Sequence, residues 1–165
     1  MQIRVTNPVL ATMTLEKEIY QVKPFNNDYH KAFVNINYTG KWISQFTSDF
    51  LKPYNLTPQQ YNILRILRGK FPVATTVKYI RERMLDRMSD ASRIVELLRI
   101  KGLVERNICI GNRRKMDVSI TQKGLNVLGE IEKEIYTRID NRLSALNENE
   151  VNQLNVLLDK LRDIN

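Results

Sequence analysis

A strand-like stretch between residues 102 and 121 interrupts a sequence whose other apolar residues recur at helical spacing. Leu103–Arg106 and Met116–Ile120 read as short strands. The loop predicted between them, Cys109–Lys115, has Gly111 and Asn112 at its turn. Four predicted helices precede this hairpin and two follow it. The order indicates a mainly α fold with one small β-hairpin.

The first long helix is predicted to begin at Asn26 or Asn27, either of which can cap it, and to end at Pro53. Residues 1–25 show no sustained periodicity, and we expect an arm with a short helix around Leu15–Val22. Apart from a gap at Gly40, the long helix carries one apolar stripe, formed by Tyr29, Phe33, Ile36, Ile43, Phe46 and Phe50.

Three shorter helices should follow, over residues 57–69, 76–84 and about 88–101. Thr57 and Gln60 predict a capping box around Pro58, and Gly69 ends that helix. Residues 71–73 are expected to be extended. The last helix stops at a basic turn before Gly102. The inward side chains should be Tyr61, Leu64 and Leu67, then Val77, Ile80 and Met84, then Ala91, Ile94, Val95 and Leu98.

Two long helices come after the hairpin. Thr121 can cap the first, which runs to about Ala145, and Asn147 with Glu150 predicts a capping box for the second. The stripe of the first is Leu125, Leu128, Ile131, Ile135, Ile139 and Leu143, and that of the second is Val151, Leu154, Leu157, Leu158, Leu161 and Ile164.

Positive charge is confined to the middle of the chain. The net charge is +8, and residues 62–123 contain 15 Lys and Arg against 6 Asp and Glu, so the remainder is close to neutral. A basic module between neutral arms suggests a polyanion partner, most often nucleic acid. The alternative interpretation is a solvated basic face.

Several functional classes find no support in the sequence. One cysteine excludes an intrachain disulfide, and one cysteine with one histidine are too few for a structural zinc site. We find no catalytic constellation, phosphate-binding glycine loop or cofactor motif. No apolar run is long enough to span a bilayer, and no signal peptide is recognised. We therefore expect no enzyme, metal, cofactor or membrane partner, and a cytoplasmic location.

The helices over 76–84 and about 88–101 can form a helix-turn-helix, with the second in the major groove of DNA and the hairpin beside it. The start of the second helix would contact base edges or phosphates, and the arginines around the turn would contact backbone phosphates. The candidate DNA-binding residues are Arg87, Ser89, Asp90, Ser92 and Arg93, with Arg113, Arg114 and Lys115 at the hairpin tip and Arg81 and Arg83 beside the turn.

Some of these residues have structural alternatives. Ser89 can be an N-cap. Arg93 can form an ion pair with Glu96, Asp90 or Asp86. Arg114 can brace the hairpin instead of contacting DNA.

The outer helices carry more apolar surface than the small central module can cover. An exposed surface of that size is a liability, and burial against a second copy of the chain removes it. We therefore predict a homodimer. The alternative is a compact monomer whose outer helices fold back over the module.

The hairpin region resembles the MarR family of bacterial regulators. The resemblance covers roughly Tyr29 to Ile164 and is most specific at Gly102-Leu103-Val104-Glu105-Arg106, Asn112-Arg113-Arg114 and Ile120-Thr121-Gln122-Lys123-Gly124. Leu56-Thr57-Pro58-Gln59-Gln60-Tyr61 is also similar to the family's start of the second helix. Asn112 stands where the family usually has aspartate, which leaves the rigidity of the hairpin open.

The resemblance implies a winged helix-turn-helix flanked by N- and C-terminal dimerisation helices. Residues 1–25 would be the arm and 26–165 the MarR-type domain, with the DNA-binding module at 55–122 and dimerisation helices at 26–53 and 122–165. It also implies that Arg113 is the arginine of the wing (the hairpin) that enters the minor groove.

The function implied is a sequence-specific regulator of transcription, usually a repressor, that binds a pseudo-palindromic operator in double-stranded DNA as a homodimer. A small aromatic or anionic effector would bind in a pocket lined by Tyr38, Trp42, Phe46 and Tyr61, although aromatic residues at helical spacing more often belong to a core. The alternative function is a winged-helix protein-interaction module that does not bind DNA.

Overall fold

The structure is a computed structural model that describes residues 13–109 and 112–163, with the backbone alone for 108, 109 and 112–116. The helices are α1 (Leu15–Glu18), α2 (Asp28–Leu51), a 3₁₀ turn (Lys52–Tyr54), α3 (Pro58–Arg68), α4 (Val77–Arg83), α5 (Ala91–Ile100), α6 (Gln122–Leu143) and α7 (Glu148–Arg162). The strands are β1 (Thr75–Thr76), β2 (Val104–Cys109) and β3 (Asn112–Ile120). Within the described residues, no helix combines the length and apolar character needed to cross a bilayer.

The chain divides into two compact units, Met1–Phe46 and Thr47–Asn165, with the boundary inside α2. In the first unit, the predicted cap of α2 is confirmed, because the His30 N–H donates to Asn27 Oδ1 at 2.9 Å. The helix predicted around Leu15–Val22 is shorter than expected. It ends at Glu18, and Tyr20 lies in left-handed backbone with φ of 54°.

The second unit holds the hydrophobic core. Both predicted capping boxes, at the starts of α3 and α7, are confirmed. The core side chains come from α3, α4, α5, the sheet and α6, as the apolar stripes predict, together with Leu51 at the end of α2. Ile63 and Leu51 are core residues that were not predicted from the sequence. The largest fully buried side chains include Leu51, Ile63, Leu64, Leu67, Ile80, Leu98, Leu128 and Ile131.

The sheet has a strand that the sequence analysis missed. In the described residues the order is β1-β3-β2, all antiparallel, with Thr75 opposite Val118 and Thr76 opposite Asp117. β1 is too short to show any periodicity. The segment before it was predicted to be extended, which is wrong. The Phe71–Pro72 peptide is cis, and the Val73 N–H donates to Lys70 O at 2.8 Å to close a turn.

The hairpin strands are longer than predicted. β2 continues to Cys109 and β3 begins at Asn112, so residues expected in a loop lie in strands. Ile108 pairs with Met116 but Cys109 pairs with Asn112, a register shift that leaves residues 113–115 without partners in β2. The sequence signal for these parts of the strands was weak because glycine and polar residues interrupt the alternation of apolar and polar side chains.

The ends of the hairpin are formed as predicted. Gly102, with φ of 70°, follows α5, and the Leu103 N–H donates to Leu98 O at 3.0 Å. Thr121 caps α6, accepting from the Gly124 N–H at 3.1 Å, while its hydroxyl donates to Gly102 O at 2.8 Å. The two ends of the strand pair are therefore tied together.

Candidate nucleic-acid interface

The turn between α4 and α5 is held by side chains on both sides. The Leu85 N–H donates to Asn62 Oδ1 of α3 at 3.0 Å. Asp86 accepts from the Met88 N–H at 3.1 Å and from the Ser89 hydroxyl at 2.6 Å. Because the turn is tied to α3 and to itself, the start of α5 has a defined position relative to α4.

The helix expected over residues 88–101 begins later, at Ala91. Asp90 is its N-cap and accepts from the Arg93 N–H at 3.1 Å. The suggestion that Ser89 is the cap is wrong, because its hydroxyl is bound to Asp86. Ser92 and Arg93 lie in the first turn of α5, and both are exposed.

An open cavity of about 330 Å³ lies where α4, the turn and α5 meet. Five of the predicted DNA-binding residues line it together, and its lining carries three cations against one carboxylate. The polar lining residues are Lys78, Arg81, Arg87, Ser89, Asp90 and Ser92, and the apolar ones are Val77, Met88 and Ala91. This is a shallow basic surface at the start of an exposed helix.

The arginines of this region differ in whether they have partners. The Arg83 guanidinium lies 3.5 Å from the centre of the Tyr79 ring and 3.7 Å from Glu82. Arg81, Arg87 and Arg93 are exposed, and within the described residues none of them forms an ion pair or a side-chain hydrogen bond. The ion pair considered for Arg93 is therefore not formed.

Glu96, one of the carboxylates considered for Arg93, instead joins α5 to β2. It binds Arg99 at 2.7 Å and Arg106 at 3.3 Å. The Arg106 Nε atom is buried and has no hydrogen-bond partner in the described residues. This ion-pair cluster holds the outer face of α5 against the hairpin.

The C-terminal end of α5 is held by two lysines. Lys101 Nζ donates to Gln60 Oε1 at 2.9 Å and also binds Asn55 O, and Lys123 Nζ donates to Lys101 O at 2.9 Å. Lys123 stabilises a carbonyl group at the C-terminal end of α5, and Lys101 joins that end to Gln60 at the start of α3 and to Asn55 before it. They belong to the fold of the module and are less suited to binding phosphate.

Two carboxyl groups, one in the turn before α5 and one on α5, have pKa values below their ordinary range. The Ser89 hydroxyl, followed by the Met88 N–H, lowers the pKa of Asp86 by donating hydrogen bonds to its carboxylate. The Arg99 guanidinium, and then Arg106, lower the pKa of Glu96. Both groups are therefore charged at neutral pH and can hold their partners.

A model of the MarR family matches residues 54–115, from the 3₁₀ turn before α3 into β3. The HTH-type transcriptional regulator MhqR of Bacillus subtilis is 24% identical over 133 residues, covering 79% of this chain and 89% of MhqR. A MarR transcription factor from Planctomyces limnophilus is 26% identical, with a TM-score of 0.65 and coverage of 82% of this chain and 98% of that one. The resemblance to the MarR family seen in the sequence is thereby confirmed.

The same architecture recurs in a MarR-type regulator with lower identity. The organohalide-sensing transcriptional regulator RdhR-CbdbA1625, in its 2,4-dichlorophenol-bound form, is 18% identical with a TM-score of 0.77. The match covers 87% of this chain and 86% of that one. The winged helix-turn-helix fold predicted from the sequence is thus confirmed. MarR-family members are transcription regulators and not enzymes, as the sequence indicated.

The predicted wing residues are only partly visible. The side chains of Arg113, Arg114 and Lys115 lie outside the described residues, although their backbone is in β3. So do the side chains of Cys109, Asn112 and Met116, and all of Gly111 and Ile164. The minor-groove role of Arg113 and the bracing role of Arg114 stay predictions.

The predicted effector-pocket residues lie in different units. Tyr61 is buried in the core of the second unit, with Arg65 5.8 Å from its ring centre, and burial raises the pKa of its hydroxyl. Tyr38, Trp42 and Phe46 belong to the first unit, where Tyr38 and Trp42 are exposed. That they form an effector pocket stays a prediction.

Several residues of the basic surface at the start of α5 were not predicted from the sequence. Asp86 lies three residues before Ser89, which is the spacing of a turn closed by an aspartate side chain, so the local sequence could have identified it. Asn62 could not be found in that way, because its partner Leu85 is far along the chain. Lys78 and Met88 line the cavity with no sequence motif to mark them.

Proposed function

We propose that this MarR-family chain is a sequence-specific double-stranded DNA-binding regulator that acts as a homodimer on a pseudo-palindromic operator. The observation that carries the proposal is that the guanidinium groups of Arg81, Arg87 and Arg93, around the turn between α4 and α5, are exposed and have no ion-pair partner among the described residues. Because these guanidinium groups form no ion pair within the module, they are available to bind phosphate. The start of α5 lies among them and can enter the major groove.

The roles of the three arginines follow from where they lie. Arg93 and Ser92, in the first turn of α5, are positioned to contact base edges when α5 lies in the groove. Arg81 on α4 and Arg87 in the turn would contact backbone phosphate and set the register of α5. Asp90 is engaged as the cap of α5, so we assign it first to positioning that helix.

The homodimer is supported by apolar side chains that remain exposed on the outer helices. Exposed members of the predicted stripes are Tyr29, Phe33, Ile36, Ile43, Ile139, Leu143, Leu154, Leu157 and Leu161. Burial in a two-fold interface would present two α5 helices to half-sites about 34–36 Å apart, or a multiple of that. The dimerisation helices would be residues 26–53 and 122–165, and the DNA-binding module 55–122.

We further propose repression that a small aromatic or anionic effector relieves. RdhR-CbdbA1625 was solved with 2,4-dichlorophenol bound, which shows that a protein of this fold accepts such a compound. In this chain the aromatic side chains of Tyr38, Trp42 and Phe46 are the candidates for binding it.

Selection of bound fragments from a random pool of DNA duplexes tests the proposal directly. We expect an enriched pseudo-palindrome, from which the half-site spacing is read. A dimer that neutralises about 8 phosphates should lose affinity with a log–log salt slope near about −7. A monomeric chain that retains no duplex at low salt, with or without a stable protein partner, would contradict the proposal.

A matched pair of arginine variants then tests the interface. Arg93→Ala should weaken operator binding by about 1–3 kcal/mol per half-site, as should Arg113→Ala if its side chain enters the minor groove. Arg99→Ala is the control, because Arg99 is on the same helix but is bound to Glu96. Equal losses for Arg93 and Arg99 in a gel-shift titration would exclude a specific role for Arg93.

A further inference from the structure

Met88 is an apolar residue whose side chain is exposed to solvent. Its side chain is 95% exposed, although it sits in a turn whose backbone is fixed by the bond from its own N–H to Asp86 Oδ1. The adjacent Ser89 hydroxyl binds the same carboxylate. The fold therefore determines where Met88 projects, and none of the described residues covers its side chain.

The surroundings of Met88 limit what can cover it. It lines the same cavity as Lys78, Arg81 and Arg87, so the occupant must present negative charge on its outside. It also lies within four residues of Ser92, whose hydroxyl can bond to a base edge. The thymine C5-methyl group fits this description, because in the major groove it is an apolar group that lies among phosphates and the hydrogen-bonding edges of the bases.

Resting on the DNA binding proposed above, we infer that Met88 is a specificity-determining residue that contacts a thymine methyl group in each half-site. Methionine suits this contact because its flexible, polarisable thioether adapts to the shape of an apolar partner. Leu85 provides a comparison in the same turn. It is 91% exposed but does not line the cavity, so it should contribute nothing to reading the base.

Replacing thymine by deoxyuridine removes only the methyl group and leaves base pairing intact. Starting from the selected operator, each thymine would be replaced in turn, and affinity measured for the full-length wild-type chain. We expect one symmetry-related position at which deoxyuridine weakens binding about fourfold per half-site, the value of one buried methyl group. Met88→Ala should bind the thymine and deoxyuridine duplexes equally.

Two further variants make the assignment specific. Met88→Leu keeps an apolar side chain and should retain sensitivity to deoxyuridine, and Leu85→Ala should behave as the wild type. The inference is overturned if no thymine position is sensitive, if Met88→Ala remains sensitive at that position, or if Leu85→Ala removes the sensitivity. Failure of the wild type to bind any duplex is a different result, which refutes the DNA-binding function itself.

Discussion

At the scale of single residues, Gly124 is required by packing. A Cβ atom there would overlap Leu103 O and lie 2.7 Å from Ile120 Cγ1, because the first turn of α6 packs directly on the ends of β2 and β3. The resemblance of Thr121-Gln122-Lys123-Gly124 to a family pattern thus has a physical basis. The backbone of the hairpin leaves no room for a side chain at this point.

Gly124→Ala should lower the free energy of unfolding by about 1–3 kcal/mol, since backbone must move to admit the methyl group. Gly129→Ala is the control in the same helix. It has nothing within 4 Å of its Cβ position and should raise stability by up to about 1 kcal/mol through helix propensity. Urea unfolding measures both, and equal effects would show that the close contact at Gly124 does not matter.

Asp86 shows how a turn residue gives the module a pH dependence. Its folded pKa lies below that of an unfolded aspartate, so its stabilising effect is complete above the unfolded pKa and is lost as pH falls through the folded pKa. Ser89→Ala removes the main cause and should raise the folded pKa of Asp86, so the stabilising effect is smaller and its loss is complete at a higher pH.

NMR titration of the Asp86 carboxyl carbon measures this shift. Ser92→Ala is the control, because Ser92 lines the same cavity but forms no hydrogen bond with Asp86 in the structure. A pKa that stays unchanged in Ser89→Ala, or rises as much in Ser92→Ala, would be inconsistent with the hydrogen bond as its cause.

At the scale of elements, α5 is positioned by contacts at both ends and along its outer face. The Asp86 turn and the Asp90 cap define its start, and Lys101 and Lys123 define its end. Between them, Glu96 binds Arg99 of α5 and Arg106 of β2. The DNA-reading role proposed for α5 requires a fixed orientation, and these contacts supply it.

Glu96→Gln should lower the urea midpoint of unfolding, because the half-buried Arg106 loses its carboxylate partner while its Nε stays buried. Glu82→Gln serves as the control. Its contacts with Lys78 at 4.0 Å and Arg83 at 3.7 Å join exposed groups, and such pairs contribute little. If the two variants unfold at the same urea concentration, Glu96 does not brace α5 against β2.

At the scale of the whole molecule, α7 carries an apolar stripe that none of the described residues covers fully. Leu157 in that stripe is 64% exposed, and Val156, about 100° around the helix from Leu157 and outside the stripe, is 65% exposed. The two residues have equal exposure but differ in whether their neighbours on the helix are apolar. Only the Leu157 side can form a continuous interface with a second chain.

Leu157→Asp should convert the proposed dimer to monomers, as measured by sedimentation equilibrium, because a charge would be buried in its interface. Val156→Asp should leave the dimer intact. Circular dichroism checks that both variants keep their helices. Dimerisation that survives Leu157→Asp, or that Val156→Asp disrupts equally, would place the interface elsewhere.

The sequence alone determined the local features of this protein. The caps at Thr57, Thr121 and Asn147 were predicted because each is closed within three residues. The apolar stripes of α3, α4, α5 and α6 identified most of the core because burial follows periodicity, whereas the stripes of α2 and α7 are largely exposed. The family resemblance at the hairpin rested on the same kind of short-range pattern.

The tertiary structure decided which polar groups meet across the chain. The pairing of Thr75 with Val118, and the bonds from Lys101 to Gln60 and from Leu85 to Asn62, join residues too distant in sequence for any local pattern to predict. Such contacts engage some of the charged groups, whereas Arg81, Arg87 and Arg93 have no partner among the described residues. Composition located the positive charge, but only the fold separated the arginines that hold the module together from those that remain available to DNA, because that distinction depends on which acceptors lie within reach.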